Sequence, residues 1–205
     1  TDDEILRKEA YPSVLDASDF LRIGEESKEV SWPGIFSKTK KVRKAKSINE
    51  KELVIIITDH ANEHNWFSAG DPRGGKDFFV QSSFWELYVD GPPQYAVAYE
   101  VASIVLQSQL FRSYKNMADY AHKKPRGCMN DLCQDKPEIS MKLRTADLCK
   151  VCMALIKKRK IDSALVSQVL QILDRVRSQF LFRDRYALTH KPSRIQIKGW
   201  RYQIH

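Results

Sequence analysis

The spacing of apolar residues along the chain predicts strands first and helices later. Leu53 to Ile57 form an unbroken, largely β-branched apolar run, typical of a strand that is covered on both faces and lies in the middle of a sheet. A long loop rich in turn-forming residues follows over positions 61–77. Residues 78–93 then predict one or two further strands, which end at a Gly-Pro-Pro sequence.

Two longer segments have the period of a helix. Between residues 94 and 111, apolar residues recur on two stripes, which predicts a helix that is buried over most of its circumference. Residues 162–182 repeat apolar side chains at amphipathic spacing, with charged residues opposite. At the end of the sequence, alternate positions are apolar as in strands: Ile195, Ile197, Tyr202 and Ile204.

This order predicts an α+β fold: a mixed sheet packed on a buried helix, followed by a cysteine-rich segment and a long amphipathic helix. The chain opens without methionine and closes on a strand-like pattern, so we expect one part of a longer protein. We divide it into an irregular N-terminal segment with a basic run (1–50), a core (51–160), and a C-terminal helix and strand leading to a missing domain (161–205).

Composition adds a bias in charge. The 34 Lys and Arg residues exceed the 26 Asp and Glu residues, for a formal net charge of +8, which favours acidic or phosphate-rich partners. The densest basic run is predicted to be a solvated loop or strand flank, or else an arm that contacts nucleic-acid phosphates. It comprises Lys38, Lys40, Lys41, Arg43, Lys44 and Lys46. Further basic clusters lie at 123–126 and 157–160.

Membrane insertion and export are not indicated. No apolar run approaches the roughly 18 residues that span a bilayer, and the acidic start does not resemble a signal peptide. We therefore expect a cytoplasmic protein with no membrane partner.

All four cysteines lie close together as two short pairs, C-x4-C and C-x2-C, fifteen residues apart: Cys128, Cys133, Cys149 and Cys152. Two such pairs can supply the four corners of a tetrahedral zinc site. Two disulfides, four free thiols and an iron–sulfur cluster are the alternatives, but disulfides are disfavoured in a reducing compartment. Four thiolates would leave no open coordination position, so we predict a structural zinc. His122 could be a ligand only in a mixed cysteine and histidine site, which the four cysteines make unnecessary.

The order of features over residues 52–155 is a strand, a Gly-rich loop, a second strand, a helix with an internal Glu100, and then C-x4-C and C-x2-C. This order resembles the archaemetzincin branch of the zincin metalloproteases. The resemblance implies a metalloprotease scaffold with a second, structural zinc at the cysteines. The family's catalytic helix reads H-E-x-x-H-x-x-G-x-x-H. With Glu100 as its glutamate, the histidine positions are Tyr99, Ser103 and Gln109, none of which binds zinc. The resemblance therefore implies a scaffold with a degenerate catalytic motif.

Glu100 and two histidines are the remaining candidates for chemistry. An internal carboxylate is most often partly exposed or paired with a basic side chain, but it could also be a general base. His60 and His64 are four residues apart beside Asp59 and Glu63, and could bind a metal if their segment were helical.

Three functions follow from these features. The first is a non-catalytic, zinc-stabilised module that binds protein or regulates attached domains of the same chain. The second is a nucleic-acid-binding module that uses the basic clusters. The third is a divergent metal-dependent hydrolase that uses Glu100, and it requires a second bound metal.

Overall fold

A computed structural model describes residues 29–133, 135–181, 193–197 and 200–204. A mixed three-stranded sheet is formed by β1 (Val54–Thr58), β2 (Ser68–Gly70) and β3 (Asp77–Gln81) in the order β1-β3-β2. β1 is parallel to β3, and β2 is antiparallel to it. The predicted strand at 53–57 is thus confirmed, but its predicted central place is wrong. β3 is central because it pairs on both sides, and its five residues are all buried.

The basic run lies on a helix, α1 (Trp32–Ala45), and the predicted loop or strand flank is wrong. The Ser31 hydroxyl caps the helix by accepting the N–H of Gly34. Its buried face includes Ile35 and Phe36 and packs on the sheet against Phe79. The helical period that buries this face leaves most of the lysines on the solvent side.

Arg43 is the exception in the basic run, because α1 turns it inward onto the sheet. Its guanidinium is 2.5 Å from an Asp77 carboxylate oxygen, and both side chains are almost fully buried. It also donates to the backbone carbonyls of Asn49 and Glu52. Arg43 therefore fastens α1 to β3 and is not available to a partner.

Two long helices form the main core, as predicted. α2 (Pro93–Leu110) and α6 (Ser163–Leu181) match the predicted helices at 94–111 and 162–182. α2 lies between the sheet and α6: Ile104 packs with the β3 side chains, while Leu106 packs in the cluster that includes α6. This position explains why α2 is apolar on two sides.

The buried stripe of α6 repeats at intervals of three and four residues: Val166, Val169, Leu173, Val176 and Phe180. At its end, the Phe180 ring lies so close to the backbone at Gly91 that an added Cβ there would be 2.2 Å from it. Glycine is required at this point by the close approach of chain and ring.

Shorter helices connect α2 to α6: α3 (Tyr114–Tyr120), a 3₁₀ helix at Lys136–Glu138, α4 (Ile139–Thr145) and α5 (Lys150–Arg159). Another 3₁₀ helix, Trp85–Leu87, lies between β3 and α2. α1 packs against β1 and β3, and this contact crosses the predicted boundary after residue 50. α4 packs against α6, and this contact crosses the predicted boundary after residue 160. The fold is α+β, as predicted.

The last described residues form an antiparallel pair, β4 (Ser193–Ile197) and β5 (Trp200–Ile204). Their positions agree with the strand-like spacing of the sequence. The predicted irregular elements of residues 1–28 lie outside the described residues. Within the described ranges, no helix combines the length and apolar composition that crossing a bilayer requires.

Candidate metal centre

Four potential metal ligands converge between the end of α3 and the start of α5: His122, Cys128, Cys149 and Cys152. One ligand atom from each lies within 4.8 Å of all the others. The Sγ atoms of Cys128 and Cys152 are 3.7 Å apart, and Nε2 of His122 is 3.5 Å from Sγ of Cys152 and 3.8 Å from Sγ of Cys149. This group, the metal group below, could hold a metal ion.

The loop that carries His122 and Cys128 is shaped by backbone pairing. The N–H of His122 donates to the carbonyl of Asn130, and the N–H of Leu132 donates back to the carbonyl of His122. These bonds place the imidazole beside the turn that starts at Cys128, where the N–H of Asp131 donates to the carbonyl of Cys128. Gly127 enters this turn with a φ of 75°, a conformation that favours glycine.

The second cysteine pair stands at the start of α5. Cys149 is the residue that caps the helix and Cys152 lies in its first turn, so the C-x2-C spacing brings both sulfurs to one side. The positive end of the helix dipole favours negative charge here. The N–H of Cys149 points to the sulfur of Cys128 at 3.3 Å, and the N–H of Asn130 does so at 3.5 Å. Backbone donors thus support the thiolate form that a metal needs.

Asp131 orients the histidine. Nδ1 of His122 is 2.8 Å from Oδ1 of Asp131, which leaves Nε2 facing the sulfurs. The other carboxylate oxygen accepts the backbone N–H groups of Arg126 at 2.6 Å and Cys128 at 3.0 Å. A carboxylate behind a ligating imidazole sets its tautomer and strengthens it as a ligand.

The structure brings together three of the four predicted cysteine ligands, and His122 stands where a fourth cysteine was predicted. Cys133 is not in the metal group. The turn that begins at Cys128 holds Asp131 behind His122, and Cys133 follows this turn outside the metal group. Cys128 and Cys133 therefore do not act as a ligand pair, although their C-x4-C spacing predicted one. A histidine shortly before the first cysteine is the sequence signal that could have predicted the mixed site.

The thiols of the group affect one another strongly. The adjacent Cys152 lowers the pKa of Cys128 to about 5, with help from the backbone N–H groups of Cys149 and Asn130. Conversely, the hydrogen bond from the Cys152 thiol to Cys128, the burial of the site and the negative charge at Cys128 raise the pKa of Cys152. One thiolate therefore forms readily, while the next must lose its proton beside it. A cation bound between them would remove this penalty, so metal binding should release protons.

Cys133 instead lines a cavity of 430 Å³ beside α2, which we name the α2 cavity. Burial raises the pKa of its thiol to about 11, which keeps it protonated. Glu100 also lines this cavity; it is 8% exposed and accepts a hydrogen bond from the Ser68 hydroxyl at 2.5 Å. Glu100 is therefore buried. It is not a member of the metal group. Among the described residues, no basic side chain forms an ion pair with it.

The other predicted candidates stay apart from the metal group. His60 lies 2.8 Å from the neighbouring Asp59, and His64 packs edge-on against Trp32. Among the described residues, the metal group is the one cluster of three or more potential ligands within bonding reach of a common ion, and it includes neither. Of the basic run, Lys40, Lys41, Lys44 and Lys46 are exposed, Lys38 is half-buried, and Arg43 is buried as described above. The clusters at 123–126 and 157–160 are exposed.

In comparisons with known proteins, no family model, no curated protein and no solved structure matches the chain. The resemblance to archaemetzincins thus gains neither support nor contradiction and stays a prediction.

Proposed function

We propose that the chain is a zinc-stabilised, non-catalytic module of a larger protein, which binds a protein partner or regulates attached domains. The observation that carries this proposal is the metal group itself, in which four protein side chains converge with a supporting carboxylate. The proposal places the module in the cytoplasm, where thiols remain reduced and available to a metal.

The distances within the group favour zinc. Zinc–sulfur bonds of about 2.3 Å and a zinc–nitrogen bond of about 2.05 Å, at tetrahedral angles, separate two sulfurs by about 3.8 Å and a sulfur and a nitrogen by about 3.6 Å. The corresponding separations are 3.7 Å between the sulfurs of Cys128 and Cys152, and 3.5 and 3.8 Å from His122 to Cys152 and Cys149. Three thiolates and one imidazole are also a common ligand set for structural zinc.

A site with four protein ligands would contribute folding free energy and not chemistry, because no position remains for water or substrate. Glu100 lies outside the group, and the positions that the zincin motif would fill with histidine hold other residues. These features favour a module that binds over one that hydrolyses.

The metal content of purified protein tests the proposal. We expect one tightly bound zinc per chain, lost in Cys152→Ser together with a large part of the folding stability. Cys133→Ser is the matched control, because it changes the same atom outside the metal group, and it should retain the zinc. Two zinc ions per chain, or peptide cleavage that Glu100→Gln abolishes, would contradict the non-catalytic assignment and favour the hydrolase.

The exposed lysines of α1 support a second candidate, a nucleic-acid-binding module. Their side chains project from one helix and could follow a phosphate backbone. A Lys41→Ala, Lys44→Ala double variant should weaken binding to single-stranded and duplex nucleic acid and reduce the salt dependence of binding. Failure of the wild-type protein to bind either at low salt would exclude this candidate.

A further inference from the structure

One wall of the α2 cavity is polar, and although Nε2 of Gln107 donates to Oδ1 of Asn130 at 2.7 Å, part of the hydrogen-bonding capacity of this wall is unused. Glu100, Ser103 and Gln107 recur at intervals of three and four residues, so they share one side of α2, and all three line the cavity. The hydroxyl of Ser103 is buried and has no hydrogen-bond partner among the described residues. A buried hydroxyl without a partner is costly and uncommon in folded proteins.

Glu100 adds a second unsatisfied requirement to this wall. Its carboxylate accepts one hydrogen bond, from Ser68, although two ionised oxygens can accept about four. A buried carboxylate without a cation is destabilising unless further donors reach it. A ligand that presents adjacent N–H groups would supply them.

Positive charge comes from another part of the cavity. Lys136 and Lys142 both line it. Nζ of Lys136 lies 4.3 Å from the centre of the Phe67 ring, and Nζ of Lys142 donates to the backbone carbonyl of Asp131 at 2.9 Å. Each ammonium has three donors, so both retain capacity for an anionic group.

Much of the remaining lining is apolar, although Asp131 and Asp135 also contribute to it. Phe78, Ile104, Met117 and Met129 contribute to it, and methionine side chains adapt readily to flat aromatic ligands. The cavity volume of 430 Å³ falls within the range of about 300–1,000 Å³ that is usual for small-molecule sites. The site therefore suits a ligand with a flat ring, an N–H edge and an anionic group.

We propose that the α2 cavity binds a guanine nucleotide. Guanine carries two adjacent N–H donors on its Watson–Crick edge, at N1 and N2, which match an acceptor-only carboxylate such as Glu100. Adenine, cytosine and uracil each place an acceptor beside their donor. The phosphate faces Lys136 and Lys142, whose ammonium groups supply positive charge and N–H donors.

The same chemistry can come from a free nucleotide or from a guanosine within a single strand. Isothermal titration of the zinc-loaded protein with GMP, AMP, CMP, UMP and guanosine tests the base and the phosphate separately. Single-stranded RNA trinucleotides with one guanine or with none distinguish the two sources. Tighter binding of the guanine trinucleotide than of GMP identifies a strand as the ligand, and equal or weaker binding identifies the free nucleotide.

Two variants with matched controls assign the contacts. Glu100→Gln replaces one acceptor with a donor and should weaken GMP binding roughly 5- to 150-fold, which removes the preference for GMP over AMP. Lys136→Met should reduce the preference for GMP over guanosine, because Lys142 remains, and leave the base preference intact. Glu86→Gln and Lys150→Met change exposed residues outside the cavity and should bind as the wild type does.

Zinc content and circular dichroism establish that each variant is folded. If Glu100→Gln is unstable, Lys136→Met and its control Lys150→Met still test the site. A wild-type protein that binds GMP more tightly than the other nucleotides and than guanosine supports the proposal. Equal binding of all four nucleotides, no binding of any, or a Glu100→Gln variant that keeps the full preference for GMP would overturn it.

Discussion

Replacing Asp131 with asparagine tests the carboxylate behind His122 without removing any residue of the metal group. Oδ1 of Asp131 holds Nδ1 of His122, while Oδ2 accepts the N–H groups of Arg126 and Cys128. An amide has one acceptor oxygen, so Asp131→Asn must give up either the histidine contact or both backbone contacts. In each case a donor faces the amide nitrogen instead of an oxygen.

The expected effect follows from these contacts. Removing the carboxylate behind a metal-bound histidine typically weakens metal binding 10- to 100-fold, which corresponds to about 1.4–2.7 kcal/mol. If the amide instead keeps the histidine contact, two hydrogen bonds to a charged acceptor are lost, at about 1.5–3 kcal/mol each. Asp131→Asn should therefore lower zinc affinity, thermal stability, or both.

Competition for zinc with a chromophoric chelator measures the affinity, and circular dichroism measures the thermal transition. Asp119→Asn is the control, because it makes the same change at an exposed position on α3. Unchanged zinc affinity and stability in Asp131→Asn would refute the role of His122 as a ligand that this carboxylate orients. Loss of zinc in Cys133→Ser, with retention in His122→Ala, would return the assignment to the four cysteines.

Three further predictions concern packing and the cavity thiol. Arg43→Met breaks a buried ion pair and should lower the free energy of unfolding by about 3–5 kcal/mol in denaturant titrations, whereas the exposed Lys44→Met should change it by less than about 0.5 kcal/mol. Gly91→Ala forces a methyl group against the Phe180 ring and should cost about 1–3 kcal/mol; a partial recovery in Gly91→Ala, Phe180→Leu is expected, and an unchanged melting temperature in the single variant would contradict the contact. Because burial raises the pKa of the Cys133 thiol to about 11, its thiolate fraction at pH 8 should be about 100-fold below that of a thiol with a pKa near 9. Alkylation of Cys133 in zinc-loaded protein should therefore be slow at pH 8 and become faster up to about pH 11. The free energy of unfolding should fall as the pH rises from about 9 to about 11, because the thiol ionises more readily in the unfolded chain than in the folded protein. Rapid labelling at pH 8 would contradict the burial of Cys133.

Local pattern was sufficient for the elements whose period is strong. The helices α2 and α6 and the strand β1 lie within one or two residues of their predicted positions, because each contains enough apolar residues to define a period. The cysteine spacing likewise identified the segment that contains most of the metal group, since a C-x2-C pair at the start of a helix converges by local geometry alone. The α+β class follows from these elements.

Tertiary structure decided which of these features act together. α1 is a helix although its lysines suggested a loop, because burying Ile35, Phe36 and Arg43 against the sheet offsets a composition with little apolar surface. His122 joins the metal group in place of Cys133. The Asp131 carboxylate orients His122 toward the sulfurs, whereas Cys133 follows the turn at Cys128 and lines the α2 cavity. Glu100 faces a cavity assembled from α2, β2, α3 and α4, and such long-range proximity has no local period from which it could be predicted.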